Sequence, residues 1–436
     1  MAALRSWRPP IKGGSPLEDI DLPPPCGLHE RAMLVACLGS CAAGTTLCYA
    51  SAAMPSIERE PWYELRKTAP ADRWAADILL LGATGGAILS GVLLHLTGHR
   101  STFLVSTFGL LCAWIGLIAS NSLVMLMVSR AASGIWLGAI ACCSSLYVTE
   151  VAPPRKRAFY GGLNEVAMTA GAVAACFIDR VKWEFQAFLC ALWPLAVLAF
   201  HQYVIESPRI LVARGCRQAA NIAASRLYGI DLPPELRMRT EDPAAHPVNW
   251  LRMSRVVSAC LLLFLLQNLS FVPLFQLRAL QIIGNLMGGS NANPAASMLL
   301  AGQTGVVALF AAQTHVVGRR WLLGASAVLV TVAHFTLQPL ENLSFSYSFG
   351  LCHLPPLLTG ELVPLRIRYL GSALFWATRW IVMFLLVHFE DSLLAAMQDR
   401  QAFLAFCLVY VLAACFTVVI IPETEGRSLV DIAKDE

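Results

Sequence analysis

The sequence predicts an all-α membrane protein in which twelve transmembrane helices form two pseudo-symmetric six-helix bundles. The composition points first to a membrane, because 57% of the 436 residues are hydrophobic and 14% are charged, and the mean hydropathy is +0.61. Soluble domains carry roughly 25% charged residues. Apolar stretches recur along the chain, each about 20 residues long, which is the length that crosses a bilayer. Lys and Arg also concentrate in the segments that fall on one predicted side of the membrane.

The apolar stretches fall into two sets of six, separated by a polar segment. The fifth, seventh and tenth stretches are interrupted by polar residues or proline, and interrupted helices at mid-depth are typical of solute sites in transporters. The first set lies near residues 32–54, 74–96, 102–119, 123–147, 160–177 and 185–204. The second set lies near residues 254–277, 296–317, 321–337, 345–363, 371–389 and 402–421.

The positive-inside rule orients this arrangement with both termini in the cytoplasm, and we expect a multi-pass protein of the plasma membrane. The first 31 residues lack the apolar core of a signal peptide and are predicted to form a disordered cytoplasmic tail. An amphipathic run at 218–228 within the central linker is predicted as a solvated helix on the inner face. The predicted divisions are 1–31, 32–205, 206–253, 254–421 and 422–436.

Composition and motifs also exclude several classes of function. The 14 cysteines lie mostly in apolar runs without paired metal-ligand spacing, so we expect reduced, buried thiols and no metal or other cofactor. No nucleophile–base constellation predicts an enzyme, and no phosphate-cradling loop predicts an ATP-driven pump. The small formal charge of +4 gives no indication of nucleic-acid binding. The predicted partners are a small-molecule solute and the lipid bilayer.

The most specific motif runs from Arg130 to Arg157. Gly134 and Gly138 follow Arg130 at intervals of four, and such small-xxx-small spacing allows two membrane helices to approach closely. The helix reads on to YVTEVAP and then to a basic triplet that ends at Arg157. The whole string resembles the fourth helix and following loop of the sugar porters of the major facilitator superfamily. That resemblance implies the major facilitator fold and transport by alternating access.

Related short motifs follow several of the other predicted spans, and each places a carboxylate or a glycine turn beside an arginine. They resemble the inner-face motifs of the family, which implies latches that hold the two halves together and break as the halves rock. The loop after the second span departs from the family pattern, because His99 replaces an arginine. The candidate latch residues are Arg100, Arg130, Glu150, Arg157, Glu206, Arg209, Arg320, Glu361, Arg368 and Glu423.

A sugar offers many hydroxyls and no charge, so its site needs neutral donors and acceptors and an aromatic face. The resemblance implies such groups on the fifth, seventh, eighth and eleventh spans. This chain keeps several of them but places Pro273 and Pro356 where the family has an asparagine and a tryptophan. It also places two charges where the family has neutral amides. The candidate substrate-binding residues are Glu165, Gln267, Asn268, Gln303, Arg379 and Trp380.

The two charges, Glu165 and Arg379, leave three alternatives open, since charges within spans are costly and usually face a cavity or a partner. They could pair with each other; Arg379 could bind an anionic substrate while Glu165 titrates and couples transport to protons; or Glu165 could be solvated near the inner end of its helix. The leading hypothesis for function is alternating-access transport of a small polar solute, with a sugar favoured. The alternatives are an organic anion transporter that uses Arg379 and a transporter-like sensor that does not transport.

Overall fold

The computed structural model describes residues 28–64, 69–178, 181–229, 250–274, 276–278, 292–335, 340–364 and 367–397, together with single positions between 408 and 424. Within these residues every regular element is helical. Helices suit a membrane because each one satisfies its own backbone hydrogen-bonding groups where water is absent. The twelfth predicted span and the two predicted tails lie largely outside the described residues.

The first half forms six long helices and one short one, and the linker adds two more. Sequence signals set the ends of the helices, as α5 shows: the Ser122 hydroxyl accepts a hydrogen bond from the Met125 N–H at 3.3 Å, and the helix stops before Pro153. The bounds are α1 (Leu28–Ile57), α2 (Pro61–Glu64), α3 (Ala69–Thr97), α4 (His99–Ile118), α5 (Leu123–Val151), α6 (Arg157–Phe177), α7 (Trp183–Phe200), α8 (Pro208–Ala213) and α9 (Arg217–Tyr228).

The second half repeats the pattern with more interruptions. Its helices are α10 (Trp250–Leu269), α11 (Val272–Arg278), α12 (Ala292–Val317), α13 (Arg319–Phe335), α14 (Leu340–Ser348), α15 (Leu354–Leu362), α16 (Arg368–His388) and α17 (Glu390–Met397). The division of the chain into two bundles and a linker stays a prediction in its details, since the segment 230–249 lies outside the described residues.

Among the described helices, seven are long and apolar enough to cross a membrane, or eight if α10 and α11 form one bent span. The seven are α1, α3, α4, α5, α7, α12 and α16. The other predicted spans correspond to α6, to the 17-residue α13, and to α14 together with α15. The structure therefore confirms the prediction of an all-α membrane protein.

Glycines set the closest helix contacts of the first half. A Cβ atom added to Gly134 or Gly138 of α5 would lie 2.1 Å from a backbone oxygen of α3, that of Leu79 or Ala83 respectively. A Cβ on Gly44 of α1 would lie 1.9 Å from a backbone oxygen of α6. These helices thus pack backbone against backbone, which confirms the predicted role of the small-residue spacing in α5.

The seventh and tenth spans are broken, as predicted. Helix α10 ends at Leu269, Phe271 adopts a positive φ of 59°, and α11 continues at an angle of 53°. Pro273 explains part of the break, because it has no N–H to donate to the Leu269 carbonyl. In the tenth span α14 ends at Ser348, and α15 resumes with prolines in its first turn. The fifth span was predicted to be interrupted too, and that prediction is wrong: α6 is continuous from Arg157 to Phe177.

The two halves meet along a few helix pairs. Helix α3 packs on α16, α6 packs on α12, and α15 packs on both α5 and α6. The two broken spans contribute α10 and α15, which contact each other and place the breaks inside the bundle. Charged side chains meet between the halves at both ends of the molecule, and a buried polar cluster lies between those ends.

Candidate functional site

The polar cluster between the halves draws its side chains from α6, α10 and α16. The amide nitrogen of Gln267 donates to the Cys352 carbonyl at 2.9 Å, which ties the two broken spans together. Gln303 of α12 is equally buried, but no hydrogen bond among the described residues joins it to this cluster. All six predicted substrate-binding residues are at most 6% exposed: Glu165, Gln267, Asn268, Gln303, Arg379 and Trp380.

Several polar atoms of these residues have no hydrogen-bond partner within the part of the chain that the structure describes. The Asn268 amide nitrogen donates to the Phe264 carbonyl at 2.9 Å, yet its oxygen accepts nothing. The oxygen of Gln267, the nitrogen of Gln303 and the indole N–H of Trp380 are also unpartnered. Buried polar atoms without partners are costly, so a concentration of them indicates a place where a polar ligand binds.

The two charged members lie near mid-depth in their helices. Glu165 is eight residues into α6, about 12 Å from its start, and Arg379 is eleven residues into α16, about 16 Å from its start. One oxygen of Glu165 and two nitrogens of Arg379 have no hydrogen-bond partner. Both charges act electrostatically on Tyr347 and Cys352, so all four residues share one neighbourhood.

These positions decide two of the three alternatives for the charges. Glu165 is 2% exposed, so the alternative in which it is solvated at the end of its helix is wrong. No ion pair within 4.0 Å joins Glu165 to Arg379 in this conformation, so the alternative of direct pairing is not realised here, although the two groups interact electrostatically at longer range. Each charge therefore still offers hydrogen-bonding atoms to a third group.

An aromatic platform under Arg379 was missed by the sequence reasoning. The guanidinium lies 5.0 Å from the ring centre of Trp376 and 5.6 Å from that of Trp380. The two indoles are neighbours, with ring centres 6.0 Å apart. The spacing of four residues on one helix was the available signal, because such residues lie on the same face. His353 is fully buried beside Cys352, and neither of its ring nitrogens has a hydrogen-bond partner among the described residues.

At one end of the bundle, a buried ion cluster joins the two halves. Glu361 of α15 contacts Arg157 of the first half, at 3.3 Å from Nη1, and Arg319 of its own half. All three side chains are at most 1% exposed. The sequence analysis named the neighbouring Arg320 for this loop; the structure brings Arg319 to Glu361, and the role of Arg320 stays a prediction. We call this end of the molecule the latch face.

A second group on the latch face surrounds Glu150. The Tyr369 hydroxyl donates to its carboxylate at 3.0 Å, and Arg368 lies 3.9 Å away, so both contacts cross between the halves. The ring Nδ1 of the buried His99 lies 3.9 Å from Glu150 and 3.5 Å from Glu206. The histidine that replaces the arginine of the family pattern thus lies between two carboxylates.

Glu206 binds the start of α4. Its carboxylate accepts hydrogen bonds from the backbone N–H groups of His99 at 2.8 Å and Arg100 at 3.2 Å. Burial alone would raise the pKa of this carboxyl, but the His99 ring and the two N–H groups hold the pKa below its ordinary value. Arg100 thus contacts Glu206 through its backbone, and its side chain is exposed, so no charge of Arg100 takes part in this contact.

The remaining latch candidates have different outcomes. Arg209 acts electrostatically on Arg157, and Glu423 lies outside the described residues. Arg130 was predicted at the latch face, and that position is wrong. It lies 20 residues before Glu150 on the same helix, about 30 Å away, where its guanidinium donates to the Ala76 carbonyl at 3.4 Å. The functional roles of all these residues stay predictions.

Comparison with known proteins identifies the family. The sequence model of the sugar (and other) transporter family matches residues 32–435. A facilitated trehalose transporter, Tret1, from Culex quinquefasciatus is 26% identical over 92% of this chain and 84% of its own length. The Tret1 of Aedes aegypti is also 26% identical, and this chain spans only 54% of its length.

Solved structures show the fold. The proton:xylose symporter XylE of the major facilitator superfamily, bound to 6-bromo-6-deoxy-D-glucose, superposes with a TM-score of 0.80 at 17% identity. The match covers 94% of this chain and 99% of that one, which confirms the predicted twelve-helix fold of two bundles. Because the family's sequence model also matches nearly the whole length, this chain belongs to the sugar (and other) transporter family.

Proposed function

We propose that this chain carries a neutral sugar across the membrane by alternating access and binds it in the buried cluster between its halves. The observation that carries the proposal is the set of unpartnered polar atoms on Gln267, Asn268 and Gln303, all buried between or beside the two halves. Amides both donate and accept, as the hydroxyls of a sugar do. Trehalose is the first solute to test, because it appears in the names of the relatives.

The two charges fit the same neutral solute. A carboxylate accepts hydrogen bonds from hydroxyl groups and a guanidinium donates to hydroxyl oxygens, so Glu165 and Arg379 can bind different parts of one sugar. Their opposite charges compensate each other at longer range, so no net charge is required of the ligand. The indoles of Trp376 and Trp380 supply an apolar surface for the ring.

Glu165 is also the residue through which we propose proton coupling. It is a buried carboxylate near mid-depth with an unpartnered oxygen, and protonation would remove its charge while the halves move. We also propose that the protein lies in the plasma membrane with its latch face on the cytoplasmic side. The basic triplet that ends at Arg157 adjoins that face, which supports this orientation under the positive-inside rule.

Counterflow in liposomes tests the function. Liposomes that contain the protein and are loaded with unlabelled trehalose should transiently accumulate labelled trehalose. Gln267→Ala should weaken the apparent affinity for trehalose by about 1–3 kcal/mol, because the groups that Gln267 would bind go unmatched. Gln313→Ala removes an exposed amide from α12 and should leave counterflow unchanged. Binding of the sugar without any exchange would contradict transport and would support the sensor.

The charge variants test the roles of Glu165 and Arg379. Glu165→Gln should keep counterflow but lose accumulation driven by a proton gradient, and accumulation equal to the wild type would contradict coupling at this residue. In a double-mutant cycle with Arg379→Asn, the losses of affinity should be non-additive, because each single variant leaves a lone buried charge. Strict additivity would show that the two charges do not act on one solute.

A further inference from the structure

A second ion cluster joins the halves at the end of the molecule opposite the latch face. Helix α3 begins there and α16 ends there, whereas the other ends of both helices lie at the latch face. The cluster is outside every motif that the sequence singled out. Its members are Arg73 and Asp77 of the first half and Arg278, His388, Glu390 and Asp391 of the second half. We call it the opposite-face cluster.

Asp77 is the centre of this cluster. One carboxylate oxygen lies 3.2 Å from Nη2 of Arg278, and the other lies 3.2 Å from the ring Nδ1 of His388. Arg278 also contacts Glu390 at 3.4 Å, and Arg73 contacts Asp391 at the rim. Asp77 is 2% exposed, so its charge depends on partners that belong to the other half of the protein.

A cavity lies directly beneath the cluster and draws its lining from both halves. Its charged lining consists of Asp77, Arg278 and Arg130, and Ser51 of α1 adds a hydroxyl without a partner. Arg130 is 2% exposed, and none of the described residues forms a hydrogen bond with its Nε. The arginine also acts electrostatically on Tyr49 and Asp77, so a cation of the first half lies near the same carboxylate.

Separation of the halves at this end must remove Arg278 and His388 from Asp77. A carboxylate that loses its counter-charge in a poorly hydrated place is strongly destabilised, so a second cation on the first half would stabilise the open face. Arg130 moves with Asp77 because both lie on helices of the first half, and α3 and α5 pack backbone against backbone. Its unpartnered nitrogen gives it the capacity to take up the carboxylate.

We propose that Asp77 exchanges partners: Arg278 and His388 hold it when the opposite face is closed, and Arg130 holds it when that face is open. The two arginines then have opposite effects. Arg278 stabilises the closed face, whereas Arg130 stabilises the open face. The inference rests on the alternating access proposed above but not on the identity of the solute.

The test is the rate at which Ser51→Cys reacts with a charged, membrane-impermeant maleimide in nanodiscs without any solute. Arg278→Gln should raise that rate about tenfold, and Arg130→Gln should lower it about fivefold, within the range of typical coupling between two states. The same variants without Ser51→Cys give the background from native thiols such as Cys48. Arg59→Gln, an exposed charge at the same face, should leave the rate unchanged.

The dependence on Asp77 makes the test specific. In an Asp77→Asn background, Arg130→Gln should no longer slow the reaction, because there is no carboxylate left to hold. Unchanged or faster labelling in Arg130→Gln, or slowing that persists in the Asp77→Asn background, would overturn the proposal. If Arg278→Gln folds poorly, Arg130→Gln still tests the proposal. Unfolding can only speed labelling, so it cannot produce the slower labelling expected of Arg130→Gln. Since no solute is used, failure here would leave the proposed sugar transport standing.

Discussion

Arg157→Gln should open the latch face without unfolding the protein. Arg157 crosses between the halves to one oxygen of Glu361 at 3.3 Å, while Arg319 of the same half as Glu361 binds the other oxygen. Because Arg319 remains, the variant does not leave a lone buried charge. Among the described contacts it removes the hydrogen bond between the charged groups of Arg157 and Glu361, worth about 1.5–3 kcal/mol. The population of the open latch face should then rise by about ten- to a hundredfold.

The assay is maleimide labelling of Ser145→Cys, which lies at the interface between the halves, where its hydroxyl donates to the Pro356 carbonyl at 3.5 Å. Arg217→Gln, an exposed charge at the same face, is the matched control. Arg319→Gln should instead lower Tm more than Arg157→Gln does, because Glu361 then keeps a counter-charge only while the halves are closed and Arg157 contacts it. Equal labelling rates for wild type and Arg157→Gln would refute the reasoning.

Two further predictions concern stability. The pKa of Glu206 in the folded protein is below its ordinary value of about 4.3, so Glu206 stabilises the fold at pH values above that ordinary value. This stabilisation is lost as the pH falls through the pKa of the folded protein, so the Tm difference between wild type and Glu206→Gln should shrink on acidification. A Tm difference independent of pH would contradict this account. Gly138→Ala should destabilise the protein by about 1–3 kcal/mol, because its Cβ would lie 2.1 Å from a backbone oxygen. Gly85→Ala should not destabilise it, because no atom lies within 4 Å of a Cβ added there. Equal melting temperatures for the two variants would argue against the close packing.

The fold could be predicted from the sequence because its signals are local. A span shows itself as an apolar run, and Pro273 marks the break in the seventh span within a few residues of its position. The continuity of α6 was harder to predict, because the polar side chains of Asn164 and Glu165 interrupt its apolar pattern. The structure accommodates Asn164 through a hydrogen bond from the Ser40 hydroxyl of α1 at 2.7 Å, a contact made only after folding.

The latch residues were predictable where a motif places them near a helix end, as for Glu150, Arg157 and Glu361. The sequence analysis placed Arg130 at the same end as Glu150. The rise of the helix over the 20 residues between them, about 30 Å, was enough to show that they lie at opposite ends. The opposite-face cluster had no local signal at all, since its contacts join residues as far apart as Arg73 and Asp391, 318 positions along the chain. Such pairs depend on how the two halves dock, and no spacing within the sequence encodes that.

The backbone contacts at Gly44, Gly134 and Gly138 have a consequence for how the molecule can move. Helices that touch through main-chain atoms cannot slide past one another without collision, so the first half has to turn as a rigid body. Movement of one half relative to the other then occurs at the interface between them, where side chains fill the space and ion pairs can re-form. The break at Phe271, which has a positive φ, lies within the seventh span, in the second half. We therefore expect the first half to move as one unit and the seventh span, in the second half, to bend near Phe271.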